Sequence, residues 1–539
     1  MSNSHGGTVP IRVNRRRFLS LAATSAAGLG SLRLSGRAGT PVLPGAWPGS
    51  PPPRTRLGAP FALGVASGDP APTGVVLWTR LAPDPLDVHG GMPQEDVPVA
   101  WQVASDEAFG RVVASGVAMA TPRHGHAVHV AVEGLQAARW YWYRFRTGDE
   151  LSQVGRTRTS PPGNASVDRL VFGFASCQQY EHGYYTAYRH MAAEPLDLLI
   201  HLGDYIYEHG RDVHPAPIGN VRHHVGGEAV SLTDYRRRYA QYRTDPDLQA
   251  AHAAFPWVVT WDDHEVDNDY AADRPEGHES RESFRMRRAA AYQAYWEHLP
   301  LRTPPPVAGD LRLYRRVGFG RLATFHVLDT RQYRSVQACG GGWRASCDER
   351  LDPARRMTGE DQERWLVDGL RASSTRWNVL AQQVFLAQRD VQPGPGARFS
   401  MDAWDGYPAA RDRLLRTLTT ANVANPIVLT GDVHAHWAAD IKADFDDPDS
   451  ATLGSEFVGT SVSSGGDGSV TTPHGAAVVA DNPHLRFHNA QRGYVRCEVT
   501  PQRWRTDYRV VPYVSRPGAP VETRTSFIVE AGRSGMDPA

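Results

Sequence analysis

Apolar and polar positions change rhythm along the chain. From Phe61 to about Pro161, short apolar runs such as Val75–Arg80, Val99–Val103 and Ala127–Val132 alternate with turn residues. That rhythm predicts strands. Trp140–Arg146 shows no strict alternation, because aromatics fill its first half. Its aromatic content still suits a strand with one face in a core, with turns at Gly134-Leu135 and Gly148-Asp149. About seven such segments predict a small immunoglobulin- or fibronectin-like β-sandwich over residues 57–161. His124, His126 and His129 stand in this strand and turn context and read as surface or interface histidines.

Beyond Val167, apolar runs of strand length alternate with helical patterns, which predicts βα units and an α/β domain over residues 167–521. Each run ends in reactive groups. Leu170–Ala175 leads to Ser176-Cys177, and Asp197–Leu202 to Gly203-Asp204-Tyr205-Ile206-Tyr207-Glu208. Trp257–Trp261 leads to Asp262-Asp263-His264-Glu265, and Pro426–Thr430 to Gly431-Asp432-Val433-His434. A fifth run, Ala323–Leu328, ends in Asp329-Thr330-Arg331-Gln332-Tyr333-Arg334. One Asp after a strand is ordinary, because Asp caps the next helix. Four or five together are not, since ligands of α/β sheets gather where strands end. Crowded buried carboxylates repel unless cations neutralise them. The pattern therefore predicts a multinuclear metal site of oxygen ligands with one thiolate and at least one imidazole. Carboxylates suit Ca²⁺, Mg²⁺, Mn²⁺ or Fe³⁺, a phenolate such as Tyr207 suits Fe³⁺, and Cys177 makes one site softer than its neighbours. Hydrolysis at phosphorus is the chemistry such a cluster serves best, through a metal-bound hydroxide or oxide attacking in line. His264, beside Asp263, is placed to protonate the leaving oxygen, or else caps a helix or supports a ligand.

Composition narrows the classes. The chain has 539 residues, with 58 basic and 58 acidic side chains, 41% hydrophobic and 22% charged residues. This is globular composition with no basic stripe, so no nucleic-acid surface is expected. All basic residues but Lys442 are Arg, a bias read first as genome composition. No apolar run is long enough to cross a bilayer, so no transmembrane segment is expected. Near the start, Asn14-Arg15-Arg16-Arg17-Phe18-Leu19-Ser20 precedes an Ala/Gly-rich stretch to about Gly30. Paired Arg before Phe-Leu is the pattern of a twin-arginine export signal, and residues 1–45 read as signal peptide and linker. The mature protein is then expected outside the cytoplasmic membrane: periplasmic, cell-surface or extracellular. Cys339 and Cys347, with seven residues between them in a Gly-rich loop, could close a local disulfide after export. Cys497 reads as buried, residues 209–230 as a long His-containing loop near the site, and residues 522–539 as a partly mobile tail.

With these residues together, the chain resembles the PhoD-like alkaline phosphatases and phosphodiesterases of the calcineurin-like metallophosphoesterase superfamily. Phe61–Pro70 is similar to the start of that family's N-terminal domain. Ser176-Cys177, Gly203–Glu208, Trp261–Glu265, Leu328–Tyr333, Gly431–His434 and Glu456–Ser461 are similar to its successive core motifs. The resemblance implies a four-layer αββα catalytic domain and an Fe³⁺–Ca²⁺ centre. It implies iron ligation by Cys177, Asp204 and Tyr207, with Asp204, Asp263 and Asp432 sharing or completing the metal sites and His434 matching the last metal motif. It makes His264 the catalytic histidine, and leaves Asn268 as a possible extra calcium ligand. Asp263 and Asp432 stand where the superfamily commonly has neutral ligands, which favours harder metals.

Arg243, in Tyr242-Arg243-Thr244-Asp245-Pro246, is either a phosphate clamp or an ordinary surface charge of an Arg-rich helix. Arg331 is open in the same way, between a phosphate contact and a loop-holding ion pair. The expected function is an exported phosphoesterase for phosphate scavenging, acting on phosphate ester substrates and carried out by the twin-arginine machinery. A phospholipase D or diester-preferring phosphodiesterase would share the site. A non-catalytic surface binding protein is the alternative of another class.

Overall fold

A computed structural model describes residue 47 and residues 57–539. The Arg-Arg segment and most of the linker lie outside the described residues. The apolar runs become strands close to where the pattern sets them. Leu170–Ala175, Leu198–His201 and Trp257–Val259 lie side by side in parallel. The helix Thr186–Ala193 and the helices Leu232–Arg243 and Pro246–Ala254 connect them. Every residue of these three strands is buried, so they read as continuous apolar runs without alternation.

These strands sit in the middle of a ten-stranded sheet. On one side it continues antiparallel through Arg492–Val499, Arg503–Val511, Glu522–Glu530 and Asp537–Pro538. The segment from Glu522 is therefore not a tail. Phe527, Val529 and Met536 point into the same core as Phe172, and the apolar run Phe527-Ile528-Val529 is too short to stand out in the sequence.

On the other side the sheet runs through Val65–Ala71, Gly74–Arg80 and Ala127–Val132. The remaining early strands, among them Val97–Ala104, Val112–Ala120 and Trp140–Thr147, form a separate five-stranded sheet. Tyr141, Tyr143 and Phe145 pack from it onto Val75, Leu77 and Val130. Trp140–Thr147 does alternate in burial, residue by residue. Its outward Trp140 carries the Arg156 guanidinium 3.6 Å from the ring centroid, so an aromatic residue takes a polar partner on the outer face. His129 stacks on Trp296 at 4.0 Å, as an interface histidine.

A second, seven-stranded sheet is built around Ala323–Val327, Trp377–Ala381, Pro426–Thr430 and Thr452–Val458 in parallel. Phe172, Phe174 and Ile200 of the large sheet share one apolar core with Phe325, Val379, Leu429 and Phe457 of the second. On the far face of the large sheet, Val171, Leu199 and Val259 pack with the helical residues Tyr188, Tyr239 and Tyr295. On the far face of the second, Leu380 and Val428 pack with Leu366 and Leu414. Neighbouring strand residues thus serve different cores. The bridge Ser176–Ser461 ties the end of the first strand to the segment following Thr452–Val458. No described helix is long and apolar enough to cross a membrane. Cys339 and Cys347 form a disulfide, and Cys497 is buried opposite Phe172.

Candidate metal centre

The loops that leave the parallel strands bend sharply, and their reactive residues carry the bends. Cys177, Asp204, Asp432 and His434 all adopt left-handed backbone conformations, with φ of 60°, 55°, 65° and 52°. Non-glycine residues in that region cost of the order of 1 kcal/mol or more each, so such strain persists where surrounding structure enforces it, often at functional sites. Gly203, at φ 109°, has no alternative: a Cβ there would meet the Asp262 backbone nitrogen at 2.4 Å. The close approach brings the Asp204 and Asp262 loops together. Glu265 then pins them, accepting backbone N–H bonds from Asp204 (3.0 Å), Tyr205 (2.6 Å) and Asp262 (2.8 Å).

Three overlapping sets of donors result. Cys177, Asp204 and His434 offer ligand atoms within 4.8 Å of one another, as do Asp204, Asp263 and His264, and Asp262, Asp263 and Asp432. Asp204 is common to the first two and Asp263 to the last two. Tyr207 joins the first set: its hydroxyl donates to Asp204 Oδ2 at 2.8 Å, lies 3.1 Å from His434 Nε2 and accepts from Ser464 Oγ at 2.7 Å. Its ring stacks on His264 at 4.1 Å. Asn268 is held at the border of the cluster, donating its backbone N–H to Glu208 and its amide Nδ2 to Glu276.

Charge is only partly balanced. Arg331, fully buried, faces Asp262 through Nε and chelates Asp402 through Nη1 at 2.9 Å to both oxygens. Its Nη2 lies 3.4 Å from Asp263 and 3.5 Å from Asp432. Burial works to raise the Asp263 carboxyl, but Arg331 and then His264 hold it well below the usual carboxylate range. Burial raises Asp432 to about 7 despite Arg331. Burial and then Asp204 push the Cys177 thiol and the Tyr207 phenol up, so both stay protonated unless a cation sits beside them. Within the centre, two buried carboxylate oxygens, Asp204 Oδ1 and Asp262 Oδ2, have no hydrogen-bond partner among the described residues. Burying such an atom costs about 1–3 kcal/mol, or more when charged.

His264 has its own carboxylate. Its Nδ1 lies 2.8 Å from Glu208 Oε2, and Glu208 Oε1 accepts the Asn268 backbone N–H at 2.9 Å. Burial disfavours the imidazolium, yet Glu208, Asp263 and Asp204 together raise His264 well above its ordinary value. Glu208 belongs to a motif visible in sequence, but nothing in its spacing assigns it to His264. Asp402 is less legible still, because it reaches Arg331 from a loop that follows no long apolar run.

Arg243 does not join these residues. Its guanidinium is buried 4.3 Å from the Trp78 ring centroid, donates to the Leu63 carbonyl at 3.2 Å and lies 3.5 Å from the Tyr205 hydroxyl, so it is not a surface charge. The helix Leu232–Arg243 turns this residue toward the early strands, which its Arg-rich pattern does not predict. Of the loop histidines, His224 is buried and lies 3.0 Å from the His209 carbonyl, whereas His223 is exposed. His209 itself sits edge-on to His264 at 5.2 Å.

The same arrangement of segments occurs in known proteins. Residues 172–508 match the PhoD-like phosphatase family and residues 48–161 its N-terminal domain. Alkaline phosphatase D of Bacillus subtilis (strain 168) is 54% identical over 478 residues, covering 88% of this chain and 82% of that protein. A solved structure of PhoD superposes with a TM-score of 0.89 at 52% identity, covering 90% of this chain and 93% of the other. The chain belongs to the PhoD-like phosphatase family and is a phosphoric ester hydrolase.

Proposed function

We propose that the chain is an exported alkaline phosphatase or phosphodiesterase whose Cys177, Asp204, Tyr207, Asp263, Asp432 and His434 hold Fe³⁺ and Ca²⁺, with Asn268 as a further oxygen donor. The observation that carries this reading is the pair of buried, unpartnered carboxylate oxygens, Asp204 Oδ1 and Asp262 Oδ2, within a set of thiol, phenol and carboxyl donors. The donor set suits the two ions in different ways. Thiol and phenol gather beside Asp204 and favour Fe³⁺, while Asp262, Asp263 and Asp432 offer the all-oxygen surroundings that Ca²⁺ prefers.

Bound there, such cations supply Lewis acidity toward the phosphoryl oxygens and lower the pKa of water for attack at phosphorus. The protein's own part is position and proton. Glu208 fixes the imidazole of His264 by its Nδ1 and favours its protonated form, which suits donation of a proton to the departing ester oxygen. Arg331 is engaged by Asp262 and Asp402, so its role is to hold the carboxylates in register. Arg243, packed on Trp78 and bonded to the Leu63 carbonyl, is engaged elsewhere. The two-sheet core with helices on both outer faces is read as a four-layer αββα domain, and the early strands as a β-sandwich that lends one sheet to it. The paired Arg15-Arg16 and the apolar stretch after them support twin-arginine export and a role in phosphate scavenging outside the cytoplasm.

Metal analysis of aerobically and anaerobically purified protein, combined with a monoester and a diester of the same leaving group, tests the reading. Iron and calcium are expected in the active protein, with hydrolysis lost on chelation and restored by adding the ions back. Undiminished hydrolysis by metal-free protein would overturn it. The ratio of the two rates decides between phosphatase and phosphodiesterase.

A further inference from the structure

A cavity of about 400 Å³ opens beside the centre, with Asp432 and His434 in its wall. Trp343, Val391 and Trp437 give its wall an apolar and aromatic part, and Asp269, Asp402, Ser400 and His474 also line it. Trp343 is held there by the loop that the Cys339–Cys347 disulfide closes, through a two-residue ladder in which Trp343 pairs with Ser400. One cation, Arg389, also lines the cavity.

Arg389 is 7% exposed, yet its guanidinium makes no hydrogen bond or ion pair among the described residues; only its backbone N–H is engaged, by Asp405. The contrast within this protein is sharp. Arg331, Arg334 and Arg411 are buried to a similar degree, and each donates to a carboxylate. The Arg389 guanidinium lies instead among three rings, 4.6 Å from Phe385 and 5.5 Å from both Trp343 and Trp437. Rings can compensate the faces of a guanidinium, but they do not accept its in-plane N–H donors. A planar fork of donors that no protein acceptor engages, held among rings, fits a carboxylate or phosphate bidentately.

We propose that this cavity receives the organic substituent of the phosphate ester, and that Arg389 binds a second anionic group carried by that substituent. The proposal rests on the metal-centre reading above, in which Asp432 and His434 help hold the cations that would face the phosphoryl group. The preferred substrates are then phosphate esters with a second anionic group along an otherwise apolar or aromatic body, and not simple alkyl esters.

Non-hydrolysable alkylphosphonates test this directly. A chain-length series is made with a terminal methyl, carboxylate or phosphonate group, and each member is measured as a competitive inhibitor of para-nitrophenyl phosphate hydrolysis and by calorimetry on the metal-loaded protein. At one chain length or more, an anionic member should bind at least about tenfold more tightly than its methyl counterpart, the size of one charge-assisted hydrogen bond. Arg389→Gln should bring that ratio close to one and Arg389→Lys should keep part of it. The carboxylate and phosphonate arms tell which anion the fork prefers. Equal binding of methyl and anionic members by the wild type at every length overturns the proposal, and so does a ratio that survives Arg389→Gln. Should Arg389→Gln not fold, the wild-type ratio and the Lys variant decide. Absence of turnover in the wild type is a different failure: it would sink the hydrolase mechanism, while calorimetry would still read the Arg389 contact.

Discussion

Glu208 and His264 form an acid–base pair at the centre. At 2.8 Å, Glu208 fixes the ring and raises the proton affinity of His264 against the opposing effect of burial. Replacing the carboxylate by an amide keeps the shape and removes the charge. Glu208→Gln should therefore lower turnover by about 100-fold. It should also lower the pKa of His264, so that the protonated form is lost at lower pH. The alkaline limb of the pH–rate profile should shift downward by at least about one unit. An unshifted limb would mean that His264 is not the proton donor. The pair also marks the limit of sequence reading at this scale. That Cys177, Asp204, Asp263, Asp432 and His434 come together is legible in the sequence, because each follows a buried strand and strand ends converge. Arg243 follows a helix, and nothing in Tyr242-Arg243-Thr244 tells which way that helix faces. The structure turns it toward Trp78.

Strands were legible wherever a run was buried on both faces, and less so where burial was one-sided or brief. Trp140–Thr147 alternates in the structure, but tryptophan on the outer face disguises the polar positions. Glu522–Glu530 does not read as a strand because its apolar run, Phe527-Ile528-Val529, is only three residues long and follows Glu, Thr, Arg, Thr and Ser. Its pairing along Arg503–Val511 gives it a structural duty that its composition conceals. Removing residues 522–539 would strip that neighbour strand of its partner and uncover the core that Phe527, Val529 and Met536 seal. An exposed edge of that kind invites aggregation, and burying each large apolar side chain is worth about 1.5–3 kcal/mol. A chain ending at Val521 should accumulate mainly in the insoluble fraction, and any soluble part should melt well below the full chain. Equal soluble yield and melting temperature would restore the tail reading. Sheet membership is the other thing the local pattern could not supply. Nothing in Val65–Ala71 says that it pairs with Trp257–Val259, because that contact joins segments nearly two hundred residues apart.

On the scale of the whole molecule, buried bases and buried acids set opposite limits on stability. His201, His326 and His436 are each lowered to about 3 by burial. An unfolded chain protonates them below about 6.5, whereas the folded chain does not. Their contribution is thus complete above about pH 6.5 and is lost as pH falls toward 3, at about 1.4 kcal/mol per pH unit for each histidine. None of the three belongs to the donor sets of the centre, so this acid loss should be the same with and without a chelator. The centre works in the other direction. Burial raises Asp432 to about 7, and burial followed by Asp204 raises Glu265 to about 8. Groups raised in this way contribute stability that is complete below the ordinary carboxylate range and lost as pH rises through 7 to 8. Cations at Asp204, Asp263 and Asp432 would reverse that loss by favouring the ionised forms. The difference in melting temperature between ion-loaded and chelated protein should therefore be small near pH 6 and grow steadily to pH 9. A difference independent of pH across that range would mean that these carboxylates do not face the ions. Net charge is zero over the whole chain, so the alkaline limit comes from where the acids are gathered, not from how many there are.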